Sequence, residues 1–347
     1  MTLGPLMVDI QGTRLSPEDR DLLVHPLVGS LILFTRNFES VEQLEALVRD
    51  IQALRSPSLL ITVDHEGGRV QRFRKDFTVL PSMRLIGRQY DQDAAAGRRL
   101  ARQCGWLMAA ELRAIGIDMS FAPCVDLDYG ASTVIGDRAF HRDPQVVGDL
   151  ALSFMNGMRA AGMAATAKHF PGHGAVVADS HVARPIDRRS SSDLLDDEIP
   201  YRRLIENGLP AVMAAHVIYP DVDERPASLS SRWLRDHLRS QLGFTGAIFT
   251  DDLSMEAAAV AGSMADRVQA ALQAGCDMAA VCNNRRGAVQ AVERLGSFDD
   301  PVGQIRLARL RGVASPTWAE LLASAEWREQ RDAVVAAMER PSLQLNA

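Results

Sequence analysis

Three of the chain's eight histidines fall within one short stretch, 168-KHFPGHGAVVADSHVARP-185, together with Lys168 and Asp179. Three kinds of chemistry suit such a set. His169, His173, His181 and Asp179 could ligate a metal, although their spacing matches no common zinc signature. Lys168 could form a Schiff base with a carbonyl substrate. Asp179 could orient His181 two residues away. That imidazole would then donate and later accept a proton near neutral pH, where histidine titrates. A second segment, 246-GAIFTDDLSM-255, delivers consecutive acids, Asp251 and Asp252, from an apolar run. Successive strand side chains point to opposite faces, so one of the two is expected to aim into a site. The other, or Ser254, would cap the next helix. Asp251 is then a candidate carboxylate nucleophile.

Two further segments carry polar groups suited to holding a polyhydroxylated ligand through charge-assisted hydrogen bonds. In 63-VDHEGGRVQRFR-74, Asp64 precedes a Gly67–Gly68 turn and Arg69, Arg72 and Arg74 follow; Glu66 could instead pair structurally with an arginine. In 135-IGDRAFHRDP-144, Arg138 stands between an acid and an aromatic residue.

These groups need a scaffold that brings them together. Eight short apolar runs recur: 6–10, 28–34, 58–64, 118–126, 163–170, 210–217, 246–252 and 277–282. They are continuous rather than alternating, as strands buried on both faces are. Helical patterns separate most of them, clearly at 40–54, 93–114, 264–274 and 287–295; Gly275 follows the third as a helix stop. Eight strands with intervening helices predict an α/β fold of the (β/α)8 barrel type, with a doubly wound open sheet as the competing arrangement. Asp64, Asp126, Lys168 with His169, His216, and Asp251 with Asp252 each close a run. In a barrel those ends converge on the active face. The expected organisation is a barrel over 1–299 and a helical extension over 300–347 packed on it, with 317–340 as its longest helix.

Composition narrows the partners. With 47% hydrophobic and 24% charged residues in a 347-residue chain, a full core is expected. A net charge of −6 argues against general nucleic-acid binding. No apolar run is long enough for a membrane helix, and the first residues, MTLGPLMVDIQG, lack a signal-peptide pattern. Cys104, Cys124, Cys276 and Cys282 form no CxxC pair and are expected to be buried thiols in a reducing, cytoplasmic setting.

The pieces VDHEGGRVQRF, IGDRAFHRDP, KHFPGHG with a downstream DSH, and GFTGAIFTDDLSM occur in one order. Together they resemble glycoside hydrolase family 3, in its branch of single-domain bacterial β-N-acetylhexosaminidases of cell-wall recycling, over roughly residues 5 to 295. The resemblance implies a (β/α)8 barrel, a retaining glycosidase and no metal or organic cofactor. It implies Asp251 as nucleophile, His181 as acid/base with Asp179 as its dyad partner, and Asp64, Arg72, Arg138, Lys168 and His169 as binders of an N-acetylglucosamine unit. His65 stands where glutamine is commoner. The implied substrate is a muropeptide, N-acetylglucosamine linked to anhydro-N-acetylmuramic acid with or without peptide. The expected protein is a monomer without nucleic-acid or membrane partners. A phosphorylase using the same site is the nearest alternative, because a neutral histidine tolerates incoming phosphate better than a carboxylate does.

Overall fold

Each of the eight apolar runs contains a strand. A computed structural model describes residues 3–177 and 185–339. Its main sheet consists of β1 (Leu6–Asp9), β2 (Val28–Leu33), β3 (Leu60–Val63), β4 (Met119–Ser120), β5 (Thr166–Phe170), β6 (Ala211–Ala214), β7 (Ala247–Asp252) and β8 (Met278–Ala280). All pair in parallel, in the order β4-β3-β2-β1-β8-β7-β6-β5. The edge strands β4 and β5 meet through the parallel bridges Met119–Ala164 and Cys124–Lys168. Hydrogen bonds from Thr166 N to Ala122 O and from Val125 N to Lys168 O, both 2.8 Å, complete that seam. The sheet therefore closes into a (β/α)8-type barrel, not the open doubly wound sheet.

The continuous apolar runs follow from this closure. Every residue of β2 is buried, because one face meets the barrel interior and the other meets helices. The interior is packed side chain on side chain; Phe121 and Phe249 touch edge to face at 5.2 Å.

Helix boundaries follow their caps. Ser40 accepts from Gln43 N and opens Val41–Gln52. Asp93 accepts from Ala95 and Ala96 N and opens Ala94–Ala114. Ser263 and Asp266 form a reciprocal capping box for Met264–Ala274, which stops at Gly275. The helix expected over 317–340 is two helices, Trp318–Ala323 and Ala325–Glu339. Ser324 is extended there (ψ 144°), and its hydroxyl accepts from Trp327 N, so it ends one helix and starts the next.

These last helices reach back to the loops after β3. The Trp327 indole donates to Glu111 at 2.9 Å, and Glu111 also accepts from the Thr78 hydroxyl (2.6 Å) and Thr78 N (3.0 Å). Glu111 is 2% exposed, and burial pushes its carboxyl above the ordinary value. Trp318 packs on Phe77 at 5.0 Å; Phe77 in turn packs on Phe73 and His65. His65 thus sits in an aromatic cluster, its pKa lowered to about 3 by burial and then by Arg72 and Arg74. A neutral, aromatic-packed ring is its place in the fold. Trp327→Phe keeps the packing but removes one donor from a buried carboxylate. It should cost about 1–2 kcal/mol in urea unfolding.

Candidate active site

The strand ends open onto a pocket of about 360 Å³ lined by Asp64, Glu66, Arg72, Arg138, Lys168, His169, His173, Asp251 and Asp252, with Phe34, Met213 and Met255 among its apolar walls. It lies where the βα loops converge, as barrel chemistry requires.

Its floor is a charge network. Lys168 is 2% exposed and its ammonium lies 2.8 Å from Asp64 and 2.6 Å from Glu66. Arg138 grips Glu66 with two bonds of 2.8 and 2.9 Å, and Arg72 lies 3.6 Å from Asp64. Burial raises Glu66, but Arg138 and Lys168 pull it well below the usual carboxylate range. Burial lowers Lys168, but Asp64 and Glu66 overcome this and hold it above the ordinary lysine value. Its amine is therefore a committed ammonium, which removes the Schiff-base reading. The hairpin His65–Gly67/Val70–Gln71 presents Glu66. Its turn needs Gly67, whose φ is +114° and whose absent Cβ would lie 2.6 Å from Pro81 O. Gln71 ties the hairpin to Phe73 O, Thr78 O and Leu80 N.

Strand β5 delivers two site residues in succession. Its pairing with β6 slips between Lys168 and Phe170, a bulge that turns both Lys168 and His169 toward the pocket. Asp126 then fixes the segment. It accepts from His169 Nδ1 (2.7 Å), His169 N (3.3 Å), His173 N (2.7 Å) and the Cys124 thiol (3.2 Å). Burial raises Asp126, but His169 and His173 hold it well below the ordinary range. Gly174 packs so closely on Leu127 that a Cβ would lie 1.8 Å from its carbonyl oxygen. Here the glycine serves close packing of the loop.

Cys124, Asp126 and His169 form the one cluster among the described residues whose ligand atoms lie close enough (4.8 Å) for a metal. Their polar atoms are already hydrogen-bonded to each other. Cys124 is held as a thiol, its pKa pushed well above the ordinary value by burial and then by Asp126.

Strand β7 ends in the two acids, and both line the pocket. The pairing of β7 with β8 slips between Phe249 and Asp252, which accounts for both appearing there instead of only one. Their carboxylates differ in use. Asp252 accepts from Ser254 N (2.9 Å), Ser254 Oγ (2.7 Å) and Cys282 N (3.0 Å), so it is the turn-forming acid. Among the described residues, Asp251 accepts only from the adjacent Asp252 N, at 2.8 Å. Burial raises Asp251, but His169, His216, the Asp252 N–H and Lys168 outweigh this and keep it below the ordinary value. His216 does not line the pocket. Its Nε2 lies 3.0 Å from Asp252 O and its Nδ1 2.6 Å from the Ser228 hydroxyl, so Nε2–H donates and Nδ1 accepts. That ring pins the backbone beside Asp251.

All described members of the expected set, Asp64, Arg72, Arg138, Lys168, His169 and Asp251, line one pocket. His181 and Asp179 lie outside the described residues. Glu66 was legible only as a structural pairing; its position between two cations makes it the centre of the network. Asp126 was legible as a strand-end acid, but not that it anchors two histidine backbones.

The family model for the glycosyl hydrolase family 3 N-terminal domain matches residues 5–305. A beta-hexosaminidase of Thioalkalivibrio sulfidiphilus is 55% identical over 100% of both chains, and one of Nitrosospira multiformis is 54% identical over 91% of both. NagZ from Neisseria gonorrhoeae, solved in complex with N-trifluoroacetyl-D-glucosamine, superposes with a TM-score of 0.93 at 42% identity, covering 98% of this chain and 99% of that one. A family 3 beta-N-acetylglucosaminidase from Paenibacillus gives 0.85 at 30% identity, with 96% and 67% covered.

Two outcomes are expected from the electrostatics. Glu66→Gln leaves Arg138 without its carboxylate partner and Lys168 with Asp64 alone, and should cost about 3–5 kcal/mol in chemical unfolding at pH 7. Burial raises Asp252 to about 6, above its unfolded value. Its ionisation therefore weakens the fold above about pH 6 and not below pH 4. Asp252→Asn keeps the acceptor for Ser254 N and Cys282 N. Relative to wild type, it should be about 1–3 kcal/mol better at pH 8 than at pH 4; equal differences at both pH values would refute this.

Proposed function

The chain belongs to glycosyl hydrolase family 3 and is a glycoside hydrolase of the β-hexosaminidase kind; from this premise we propose that it removes a terminal non-reducing N-acetylglucosamine from muropeptides with retention of configuration. The observation that carries the reading is Asp251: an ionised carboxylate, little used by the protein, facing a pocket otherwise closed by paired charges. A pocket of about 360 Å³ is at the small end of the ~300–1,000 Å³ usual for small-molecule sites, which suits one sugar ring and exo action.

In the proposed reaction Asp251 attacks the anomeric carbon as the glycosidic C–O bond breaks, and protonated His181 gives its proton to the leaving oxygen. Neutral His181, oriented by Asp179, then takes a proton from water as water displaces Asp251 and frees the sugar. Asp64, Arg72, Arg138, Lys168 and His169 hold the sugar. The cations Arg72, Arg138 and Lys168 are offset by the carboxylates Asp64, Glu66 and Asp251, giving donors and acceptors to hydroxyls without a strong net field. The same balance favours hydrolysis over phosphorolysis. Lys168 and Arg138 are paired to carboxylates, and Arg72 faces Asp64. The N-acetyl preference is supported by the N-acylated glucosamine bound to the Neisseria protein; the muropeptide aglycone is supported by the branch the motifs resemble. Residence in the cytoplasm as a monomer completes the proposal; four buried free cysteines fit a reducing compartment. No described helix is long and apolar enough to cross a membrane.

The test is release of nitrophenol from 4-nitrophenyl N-acetyl-β-D-glucosaminide, with and without phosphate. Wild type should turn over without phosphate. Asp251→Asn should lose at least ~1,000-fold in kcat, the scale of the barrier that covalent and electrostatic assistance supplies, while Asp252→Asn stays within about tenfold. Asp179→Asn should lose ~100- to 10,000-fold, the range of a positioned acid–base. Phosphate-dependent turnover would establish the phosphorylase instead, and an active Asp251→Asn enzyme would displace Asp251 from the role of nucleophile.

A further inference from the structure

Among the described residues, neither buried ring nitrogen of His173 has a hydrogen-bond partner, and the residue, only 2% exposed, lines the pocket. The other described pocket residues behave differently. Lys168 is bonded to Asp64 and Glu66, Arg138 to Glu66, and His169 to Asp126. Apart from His173, the buried partnerless side-chain atom on the pocket wall is Nε of Arg72, which still lies near Asp64 through its other nitrogen. Burying a donor and an acceptor with no partner is unfavourable, so such a ring on a pocket wall calls for a group that would satisfy it.

The position of His173 is fixed by its backbone and leaves its ring for another use. Its N–H donates to Asp126 at 2.7 Å, the same carboxylate that holds His169. The two rings stand edge to face with centroids 6.1 Å apart. Asp251 is near enough to interact electrostatically with the His173 ring. The imidazole thus stands on the pocket wall beside the reacting carboxylate and a residue assigned to sugar binding.

We infer that His173 is a substrate-binding residue, one of whose two unpartnered ring nitrogens is satisfied by a hydroxyl group of the bound N-acetylhexosamine. This inference rests on the glycosidase reading and adds a residue to it. Burial lowers the His173 pKa below the ordinary histidine value, so the ring is neutral at pH 7 and offers one N–H and one lone pair. A sugar hydroxyl, itself donor and acceptor, is the matching ligand.

The discriminating variant is His173→Phe, which keeps a ring but removes both polar atoms and leaves the backbone bond to Asp126 intact. Its substrate set is the aryl N-acetyl-β-glucosaminide and its 3-, 4- and 6-deoxy analogues. The expected result is a ~10- to 100-fold loss in kcat/KM on the parent glycoside. On one deoxy analogue the variant and wild type should be equal. The melting temperature should be unchanged or higher, because the substitution removes unpaired polar atoms from the ligand-free enzyme. An unchanged kcat/KM on the parent, or an equal loss on the parent and every deoxy analogue, would overturn the inference. A wild type silent on the parent would instead overturn the glycosidase reading on which the inference stands.

Discussion

The site depends on one buried ion cluster, Glu66 held between Lys168 and Arg138. Its three members come from three separate parts of the chain: the hairpin after β3, the end of β5 and the loop around 138. Taking such charges out of water is unfavourable unless each is matched at close range. The match exists only when the three loops stand in one arrangement. Removing Glu66 leaves the buried Arg138 guanidinium without its carboxylate, so the cluster enforces the shape of the pocket floor as well as its polarity. Asp64 extends it to the surface of the pocket, where Arg72 lies 3.6 Å away.

The barrel supplies what the cluster cannot, namely the directions of the side chains. Regular strands alternate faces, yet Lys168 and His169 both reach the pocket, as do Asp251 and Asp252. The register slips in β5 and β7 make this possible. Each irregular segment is then held by a buried polar residue that does not itself face substrate. Asp126 ties down the backbone at His169 and His173, and His216 ties down Asp252 O. Behind the hairpin, the aromatic cluster of His65, Phe73 and Phe77 is braced by Trp318, and Thr78 is braced through Glu111 by Trp327. The C-terminal helices thereby brace the segment that carries the pocket-lining hairpin.

Much of this was legible in the sequence because buried parallel strands are written as uninterrupted apolar runs, and all eight runs contain strands. Asp64, Lys168, His169 and Asp251 were legible because each follows or closes such a run. What pattern could not supply was long-range pairing. Nothing local to Glu66 says that its partners lie 72 and 102 residues further along. The bulge in β5, the break at Ser324 and the second acid entering the pocket likewise depend on neighbours remote in sequence. Strand alternation and the resemblance both pointed to Asp251 over Asp252; the structure adds a physical difference, since only Asp252 has its carboxylate engaged by Ser254 and Cys282.

The central claim is that Asp251 bonds covalently to the sugar, and trapping that bond tests it most directly. A fluorinated N-acetylglucosaminyl fluoride slows release of the intermediate, so the adduct can be located by mass spectrometry of peptides. The account predicts one added sugar, on the peptide containing Asp251, with loss of activity in step with labelling. Turnover of the reagent with no adduct would point to the substrate's own acetamide as nucleophile. An adduct on another carboxylate would contradict the assignment of Asp251.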